Sequence, residues 1–213
     1  MNEQILEALD WRYATKIFDA DKKINEKDWN TLVESVRLAP SSYGLQPWKF
    51  IVVENKELRA KLREVSWNQS QVTDASHYLV FTTLEKLDAQ YVDKFVADIA
   101  KTRGLQVEDL AGYRDMMVGN LVEGPRSQTI DAWAQRQSYI AMGQLTLAAG
   151  LLKIDTCALE GLDPAAYDKL LGLEDGPYKT IAAVALGYRK DDDKYKDLKK
   201  VRFDQEEVFE YKK

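Results

Sequence analysis

A long segment of the sequence, Ser127 to Gly150, limits the folds open to this chain. It begins amphipathic and then becomes apolar on nearly every side. Its uncharged part, Gln137 to Leu152, is too short to cross a bilayer. A helix that is apolar all round must be surrounded by protein. The segment therefore predicts a central helix that packs on its own sheet and, in a chain of this size, on a partner subunit as well.

The length of the chain allows it to bury a core around that helix. A chain of 213 residues and 24.4 kDa buries about 70% of its unfolded surface on folding, so it needs neither a disulfide nor a structural metal. The hydrophobic fraction of 45% and the charged fraction of 31% are ordinary for globular proteins. Because the sequence has neither repeats nor a linker, we expect one domain over residues 1–213.

The charge balance excludes two classes of partner. Thirty basic and 35 acidic residues give a net charge of −5, so no positive field covers the whole surface to attract nucleic acid or anionic lipid.

The single cysteine, Cys157, cannot form an intrachain disulfide, and with the single histidine, His77, it does not make a zinc site. The first residues lack the order of a signal peptide. We expect a soluble cytoplasmic protein without a metal.

Hydrophobic periodicity predicts an α+β or α/β fold with four strands and about eight helices. The β-branched and aromatic runs predict strands over 48–53, 78–83, 154–159 and 180–186. Helices are predicted near 5–11, between Asn25 and Pro40, and over 56–65, 88–103, 107–118, 127–150 and 164–171. The two helices over 88–118 have weak patterns, which predict an exposed excursion with charged faces.

The usual catalytic motifs are absent from the sequence. It contains no G-x-S-x-G elbow, P-loop, H-E-x-x-H motif or C-x-x-C pair, and no G-x-G-x-x-G follows a strand. His77 lies at the start of a strand, where a structural histidine is more common than a catalytic one. Cys157 lies inside an apolar strand, where burial disfavours the thiolate. We assign neither residue a catalytic role.

Two groups of cations remain as candidates for a binding site. Arg12 and Lys16 follow the first helix, and Lys199, Lys200 and Arg202 lie near the end of the chain. Taken singly, each is more often a solvated surface charge than part of a site. The composition gives no reason to join the two groups.

Three sequence motifs connect the two groups of cations, because together they resemble a known family. Arg12 to Asp19 reads R-Y-A-T-K-I-F-D, Leu38 to Ser42 reads L-A-P-S-S, and Gln46 to Trp48 reads Q-P-W before a strand. In this order and spacing they resemble the flavin-dependent nitroreductase family. Further similarity lies at Asn68, 74–77, 159–161 and 200–202, so the resemblance spans nearly the whole chain.

The resemblance implies a fold, an assembly and a cofactor. The fold is α+β, with helices around a central mixed, mainly antiparallel sheet of four to five strands. The assembly is an intertwined homodimer with its sites at the subunit interface. The cofactor is FMN, with NADH or NADPH as electron donor. The choice between the two donors stays open, because the sequence has no acidic ribose fingerprint.

The resemblance also implies site residues, none of which is a catalytic side chain because the flavin carries the hydride chemistry. Six residues would bind the phosphate, the ribityl chain and the pyrimidine edge: Arg12, Tyr13, Ala14, Lys16, Lys200 and Arg202. The other subunit would supply Pro40, Ser41 and Ser42. The ring edge would meet Asn68, Gln71, Glu160 and Gly161. The donor or the acceptor would contact Lys16, Asn68 and Tyr43.

The function implied is two-electron transfer from NAD(P)H through FMN to a nitroaromatic, a quinone or a similar acceptor, by a ping-pong mechanism. Alternatives are a specialised enone or flavin reductase of the same family, a flavin-binding protein without turnover, and a cofactor-free scaffold. Many relatives have a small hydroxyl residue in place of Ala14, some have lysine in place of Gln71, and some have a polar loop in place of Tyr43 to Leu45. These departures concern the substrate preference more than the cofactor.

Overall fold

The computed structural model describes residues 1–212, which form nine α-helices and one four-stranded sheet. The helices are α1 (Asn2–Trp11), α2 (Glu26–Arg37), α3 (Lys56–Glu64), α4 (Gln71–Asp74), α5 (Ala89–Arg103), α6 (Ala111–Leu121), α7 (Ile130–Leu151), α8 (Pro164–Leu171) and α9 (Gln205–Val208). The strands are β1 (Trp48–Val52), β2 (His77–Leu84), β3 (Asp155–Leu159) and β4 (Tyr178–Gly187). The predicted α+β fold is confirmed.

The sheet is antiparallel throughout, in the order β1-β2-β4-β3. Residues 1–212 show one parallel pairing, an isolated bridge between Ala14 and Thr156 on the edge strand β3. The parallel component that the resemblance implied is limited to this bridge, because all four strands pair antiparallel. The bridge also lays the segment after α1 beside β3, which is where the candidate site forms.

Side-chain caps decide where several helices begin, as the sequence indicates. Asn25, Asn55 and Asp88 accept the backbone N–H of the residue three positions on, at 2.9 Å in each case, and so start α2, α3 and α5. Asp163 caps α8 in the same way, through Ala165 and Ala166. The predicted bounds of these four helices are therefore close to the observed ones.

The two central strands carry apolar side chains on both faces. On one face Leu79 and Phe81 pack with α2 and α7, around Leu145. On the other face Tyr78 and Val80 pack with α3 and α8. Because side chains alternate across a strand, successive residues of β2 enter the two cores in turn. Helices thus cover both faces of the sheet.

The segment over 88–126 is not the exposed excursion that its weak pattern predicts. Its helices α5 and α6 bury Val92, Val96, Met117 and Leu121 in a third core, which they share with Trp133 of α7. The second helix also starts later than expected, after a 3-10 turn over Glu108–Leu110. The pattern is weak because each helix buries only a narrow stripe.

The long central helix is only half covered by its own chain. It starts at Ile130, after a 3-10 turn over Pro125–Thr129, rather than at Ser127. One side packs on the sheet and on α2, but Tyr139, Ile140 and Leu151 are 40%, 45% and 47% exposed. Cover on every side, as predicted, is therefore not provided within one chain. No helix in residues 1–212 is long and apolar enough to cross a membrane.

His77 and Cys157, to which the sequence analysis assigns no catalytic role, have the surroundings of structural residues. The His77 ring stacks on Trp29 with centroids 4.0 Å apart, and burial, followed by the charge of Arg59, lowers the pKa of His77. Cys157 is 1% exposed, and burial raises the pKa of its thiol. At neutral pH both side chains are therefore uncharged.

Candidate functional site

One cavity of about 480 Å³ brings the two groups of cations together. It lies between the end of α1 and the segment 195–202. The predicted residues that line it are Arg12, Tyr13, Ala14, Lys16, Lys199, Lys200 and Arg202. The Lys200 ammonium donates to the carbonyl oxygen of Arg12 across this cavity. Tertiary structure therefore joins charges that lie near opposite ends of the sequence.

The electrostatics of the cavity favour an anion. Burial, followed by the charge of Arg202, lowers the pKa of Arg12. Burial, followed by the charges of Arg12 and Arg202, lowers the pKa of Lys200. The Arg12 Nε is buried without a hydrogen-bond partner. Burial, followed by a hydrogen bond to the Asp193 carboxylate, raises the pKa of Tyr13, so its hydroxyl is directed to that carboxylate. Converging cations and an unpartnered donor are relieved by a bound oxyanion, which accepts a hydrogen bond and compensates their charge.

Strand β3 fixes the backbone of the turn that carries Arg12 and Lys16. The Thr15 N–H donates to the carbonyl oxygen of Thr156 at 3.1 Å, next to the bridge from Ala14. Thr15 itself is fully buried. The turn thus forms the outer edge of the sheet, where backbone pairing with β3 holds the residues that carry the cations.

Asp193 fixes the same turn from the other side, and sequence reasoning missed it. Its carboxylate accepts the backbone N–H groups of Lys16 and Ile17 at 2.8 and 3.1 Å, and that of Tyr195 at 3.0 Å. Burial by itself would raise the pKa of Asp193, but these N–H bonds outweigh it and the pKa is lowered. The residue stands in a run of three aspartates, of which it alone is buried, so the sequence does not distinguish it.

Arg189 is a second residue that sequence reasoning missed. Its guanidinium lies 2.6 Å from the Asp155 carboxylate and over the rings of Trp11 and Tyr13, at 4.1 and 4.5 Å from their centroids. Asp155 is 3% exposed, so removal of one partner would leave a buried charge unpaired. The pair and the two stacked rings determine where Tyr13 lies in the cavity.

A second group of predicted residues lies at the end of β3. The Trp67 ring covers Gly161 so closely that a Cβ at residue 161 would lie 2.7 Å from it. Gln69 donates to the Gly161 carbonyl oxygen at 3.0 Å, and the Tyr139 hydroxyl donates to the Glu160 carboxylate. Burial and this bond raise the pKa of Tyr139 to about 12, so it remains a donor at neutral pH.

Asn68 and Gln71 belong to this second group. The Asn68 Oδ1 accepts from Arg63 Nε at 3.0 Å, which leaves the NH₂ of the amide as the free end. Gln71 is 6% exposed and lies beside the Cys157 sulfur. Burial raises the pKa of Cys157. Among the effects that lower this pKa, the charge of Lys16 is the largest. Cys157 of β3 is therefore close to Lys16 of the first group and to Gln71 of the second.

The third group of predicted residues, Pro40 to Tyr43, does not line this cavity in residues 1–212. Ser42 donates its backbone N–H to Gln137 Oε1 of α7 at 2.9 Å, so the loop is held against the long helix. That this loop contacts the flavin bound by a partner subunit stays a prediction. The same residues 1–212 hold no cluster of side chains suited to a metal ion.

The sequence profile of the nitroreductase family matches residues 9–188. A Staphylococcus saprophyticus protein whose name designates it an NAD(P)H nitroreductase is 36% identical over 99% of this chain and 98% of its own.

Two solved structures share the fold. A nitroreductase-like protein from Streptococcus mutans has a TM-score of 0.85 at 19% identity and covers all of both chains. An Exiguobacterium sibiricum protein described as a nitroreductase, solved in complex with FMN, has a TM-score of 0.80 at 22% identity and covers 98% of this chain and 97% of its own.

Proposed function

The chain belongs to the nitroreductase family, and on that basis we propose that it is an FMN-dependent NAD(P)H oxidoreductase that works as a homodimer. The single observation that carries the proposal is the cavity where Arg12, Lys200 and Arg202 converge. Its volume of about 480 Å³ lies within the range of small-molecule sites. The names of the relatives supply the donor, and the complex of the Exiguobacterium sibiricum protein supplies the precedent for FMN.

The residues present fit FMN. Arg12, Lys200 and Arg202 would hold the phosphate, and the unpartnered Arg12 Nε is available to donate. Each charge-assisted hydrogen bond contributes roughly 1.5 to 3 kcal/mol. The chemistry that FMN would supply when bound there is hydride transfer from NAD(P)H and two-electron reduction of an acceptor.

The side chains along β3 would define the environment of the ring. Lys16 would bring a positive charge to the pyrimidine edge, where it would stabilise the negative charge of the reduced state. Asn68, oriented by Arg63, presents its NH₂. The backbone of Glu160 and Gly161, held by Tyr139 and Gln69, closes the other edge. None of these groups has to transfer a proton, which agrees with the absence of catalytic motifs from the sequence.

A second copy of the chain would complete the site. The exposed face of α7 is apolar at Ile140 and Leu151, and α1 adds Ile5, Leu6 and Leu9. Exposed apolar patches of this kind mark protein contacts. The loop over 40–43 lies away from the cavity of its own chain, so it is free to serve the cavity of a partner. The dimer would thus bury the apolar face and bring the third group of residues to the flavin.

The acceptor is proposed as a nitroaromatic, a quinone or a similar compound, reduced at the site that the donor has left. The test is anaerobic. Purified protein loaded with FMN and freed of excess flavin should bleach on addition of NADH or NADPH and regain its colour when a quinone is added. A yellow protein that does not bleach would be a flavin carrier, and a colourless one that retains no FMN would refute the proposal.

A further inference from the structure

The turn that carries Asn68 has a backbone that its surroundings must hold in place. Trp67 and Asn68 have φ angles of 51° and 53°. Asparagine enters this left-handed region at small cost, but a tryptophan there is strained. Strain of this kind persists only where neighbouring structure fixes the backbone. The turn therefore depends on contacts from outside itself.

Arg63, near the end of α3, binds this turn with both its backbone and its side chain. Its carbonyl oxygen accepts the Asn68 N–H at 3.1 Å, and its Nε donates to Asn68 Oδ1 at 3.0 Å. A guanidinium has five N–H donors and no acceptor, so only the oxygen of the Asn68 amide can face it. The NH₂ of that amide is therefore the end that a ligand can meet.

Thr73 of α4 fixes the guanidinium on its other branch. The Thr73 Oγ1 accepts from Arg63 Nη1 at 3.1 Å. The same hydroxyl is directed to the Ser70 carbonyl oxygen and the Asp74 carboxylate, at 3.0 and 2.8 Å. Arg63 thus joins the two ends of the segment 68–73. The planar fork of an arginine suits two such anchors, whereas the single ammonium of a lysine does not.

Arg59, one helical turn earlier in α3, holds the remainder of the segment. It is 7% exposed and donates to the carbonyl oxygens of Val72 and Ala75, at 2.6 Å in each case. These groups lie at the C-terminal end of α4, a helix of four residues without a side-chain cap at its start. Residues four apart share a face of a helix. One face of α3 therefore fixes the segment from Asn68 to Ala75.

The segment lies along β3, where the edge of the flavin ring is proposed. Gln69 donates to the Gly161 carbonyl oxygen at 3.0 Å, in the turn that follows β3. Gln71 lies beside the sulfur of Cys157, within β3 itself. Residues close to Asn68 in the sequence thus contact both the strand and its end. The orientation of the Asn68 amide is therefore set next to the proposed ring.

We propose that Arg63 is a positioning residue that, with Thr73 as its second anchor, turns the NH₂ of Asn68 toward the flavin ring and so makes bound FMN easier to reduce. The inference rests on the proposed function, since it places Asn68 at a flavin site. Reduction makes the ring more negative, and a hydrogen-bond donor that faces the ring then binds it more tightly. Without the Arg63 side chain the amide is free to present its oxygen, which disfavours the reduced state.

The test compares Arg63→Met, which removes every donor of the side chain, with Lys61→Met. The control removes an exposed charge from the same helix. The first readout is the reduction potential of bound FMN, by potentiometric titration. We expect Arg63→Met to lower the affinity for reduced relative to oxidised FMN about tenfold, as for one hydrogen bond to a charged group. For two electrons this is a fall of about 30 mV. Lys61→Met should leave the potential as it is.

Two more variants separate positioning from charge. Asn68→Gly removes the amide and keeps a residue suited to the left-handed backbone, and in this background the loss of Arg63 should no longer shift the potential. Thr73→Val removes the second anchor without a change of charge and should lower the potential in the same direction by a smaller amount. A direct charge effect of Arg63 would be equal in both backgrounds and absent from Thr73→Val.

A second readout needs no flavin. The side-chain NH₂ of Asn68 gives a pair of signals in the ¹⁵N–¹H spectrum of flavin-free protein, which are assigned by their loss in Asn68→Gly. We expect this pair to move to the frequencies of a solvated amide and to sharpen in Arg63→Met, because the amide is released. In Lys61→Met the pair should stay in place.

An unchanged potential in Arg63→Met would overturn the proposal, and so would an equal shift in the Asn68→Gly background. Unmoved Asn68 signals in Arg63→Met would also overturn it. Should Arg63→Met fail to fold, Thr73→Val decides by the same two readouts. Failure of the proposed function appears separately, as wild-type protein that retains no FMN. In that case the flavin part falls with it, and the spectrum still decides whether Arg63 fixes the amide.

Discussion

The Asp193 carboxylate accepts the backbone N–H of Lys16 at 2.8 Å, across an interval of 177 residues. This bond, together with those to Ile17 and Tyr195, fastens the segment that carries Lys200 and Arg202 to the turn that carries Arg12. Both halves of the proposed phosphate site therefore depend on one buried carboxylate.

Asp193→Asn should destabilise the protein and weaken its binding of FMN. An amide presents an NH₂ group to at least one of the three N–H donors, at an expected loss of about 1 to 3 kcal/mol in the free energy of unfolding. Chemical denaturation and flavin titration measure both effects. Asp192→Asn, an exposed neighbour, is the control. Equal behaviour of the two variants would contradict this role for Asp193.

The same substitution has a predictable pH dependence. Because the folded pKa of Asp193 is lowered, its contribution to stability is complete above its ordinary pKa of about 3.9. The contribution is lost as the pH falls from there through the lowered value. The difference in unfolding free energy between wild type and Asp193→Asn should be constant from pH 6 to 8 and shrink below about pH 4. A difference that grows in acid would mean that another group is responsible.

Arg202→Ala tests the phosphate site directly. Loss of one charge-assisted hydrogen bond from an exposed residue should raise the Kd for FMN about tenfold, without a change in the thermal midpoint of flavin-free protein. Arg103→Ala, which removes an exposed arginine from the end of α5, should leave the Kd as it is. Equilibrium dialysis at fixed salt is the measurement. Unaltered FMN binding by Arg202→Ala would remove the C-terminal segment from the site.

Gly161→Ala tests the contact between the two loops at the end of β3. The new Cβ would lie 2.7 Å from the Trp67 ring, so the ring or the Glu160–Gly161 backbone has to move. We expect a loss of about 1 to 3 kcal/mol in unfolding free energy and reduced flavin occupancy. Trp67→Leu in the same chain should restore part of both. Gly112→Ala, where a Cβ meets nothing within 4 Å, is the control. If Gly161→Ala changed neither the unfolding free energy nor the flavin occupancy, the Trp67 ring would be able to move without cost and the contact would not hold the loops.

Gln71→Lys should raise the reduction potential of bound FMN. Gln71 lies beside Cys157, and the charges of Lys16 and Arg12 both lower the pKa of the Cys157 thiol. A further cation there stabilises the reduced, more negative state, by tens of millivolts if the gain is about 1 kcal/mol. Potentiometric titration against Gln71→Met, which keeps the volume without the charge, measures the shift. Equal potentials in the two variants would place residue 71 away from the ring.

Ile140→Glu tests the proposed dimer. A charge placed in an apolar interface is costly, so the variant should elute as a monomer and retain less FMN than wild type. Leu105→Glu makes the same change at a residue that is 40% exposed in the 88–126 segment, and it should leave the assembly intact. Light scattering coupled to gel filtration gives the mass. Wild-type protein that is monomeric with FMN bound would contradict the completed site.

The elements of the fold followed largely from local signals. The helices that follow Asn25, Asp88 and Asp163 begin close to their predicted starts, where these side chains cap them, and the apolar runs form the four strands. The error over 88–126 has a physical cause. The narrow buried stripes of α5 and α6 face each other and Trp133, and a stripe that is completed by another element gives a weak periodicity in its own sequence.

The candidate site could be predicted less well than the fold from local features of the sequence. Arg12, Lys16, Lys200 and Arg202 were linked by resemblance to a family, since nothing in their own surroundings marks them. Asp193 and Arg189 were missed, because a buried carboxylate in a run of aspartates looks the same in sequence as its exposed neighbours. Their roles become visible only from the atoms that they contact.

Sequence alone indicated the four strands, the seven longer helices, the family and the types of residue available to hold an anion, because caps, periodicity and short motifs are local properties of the chain. Tertiary structure decided which cations share a cavity, which aspartate is buried, and that Trp67 lies on Gly161. These are contacts between residues far apart in sequence. They depend on how β3 packs beside the turn after α1, and such packing is a sum over many weak interactions that no short segment encodes.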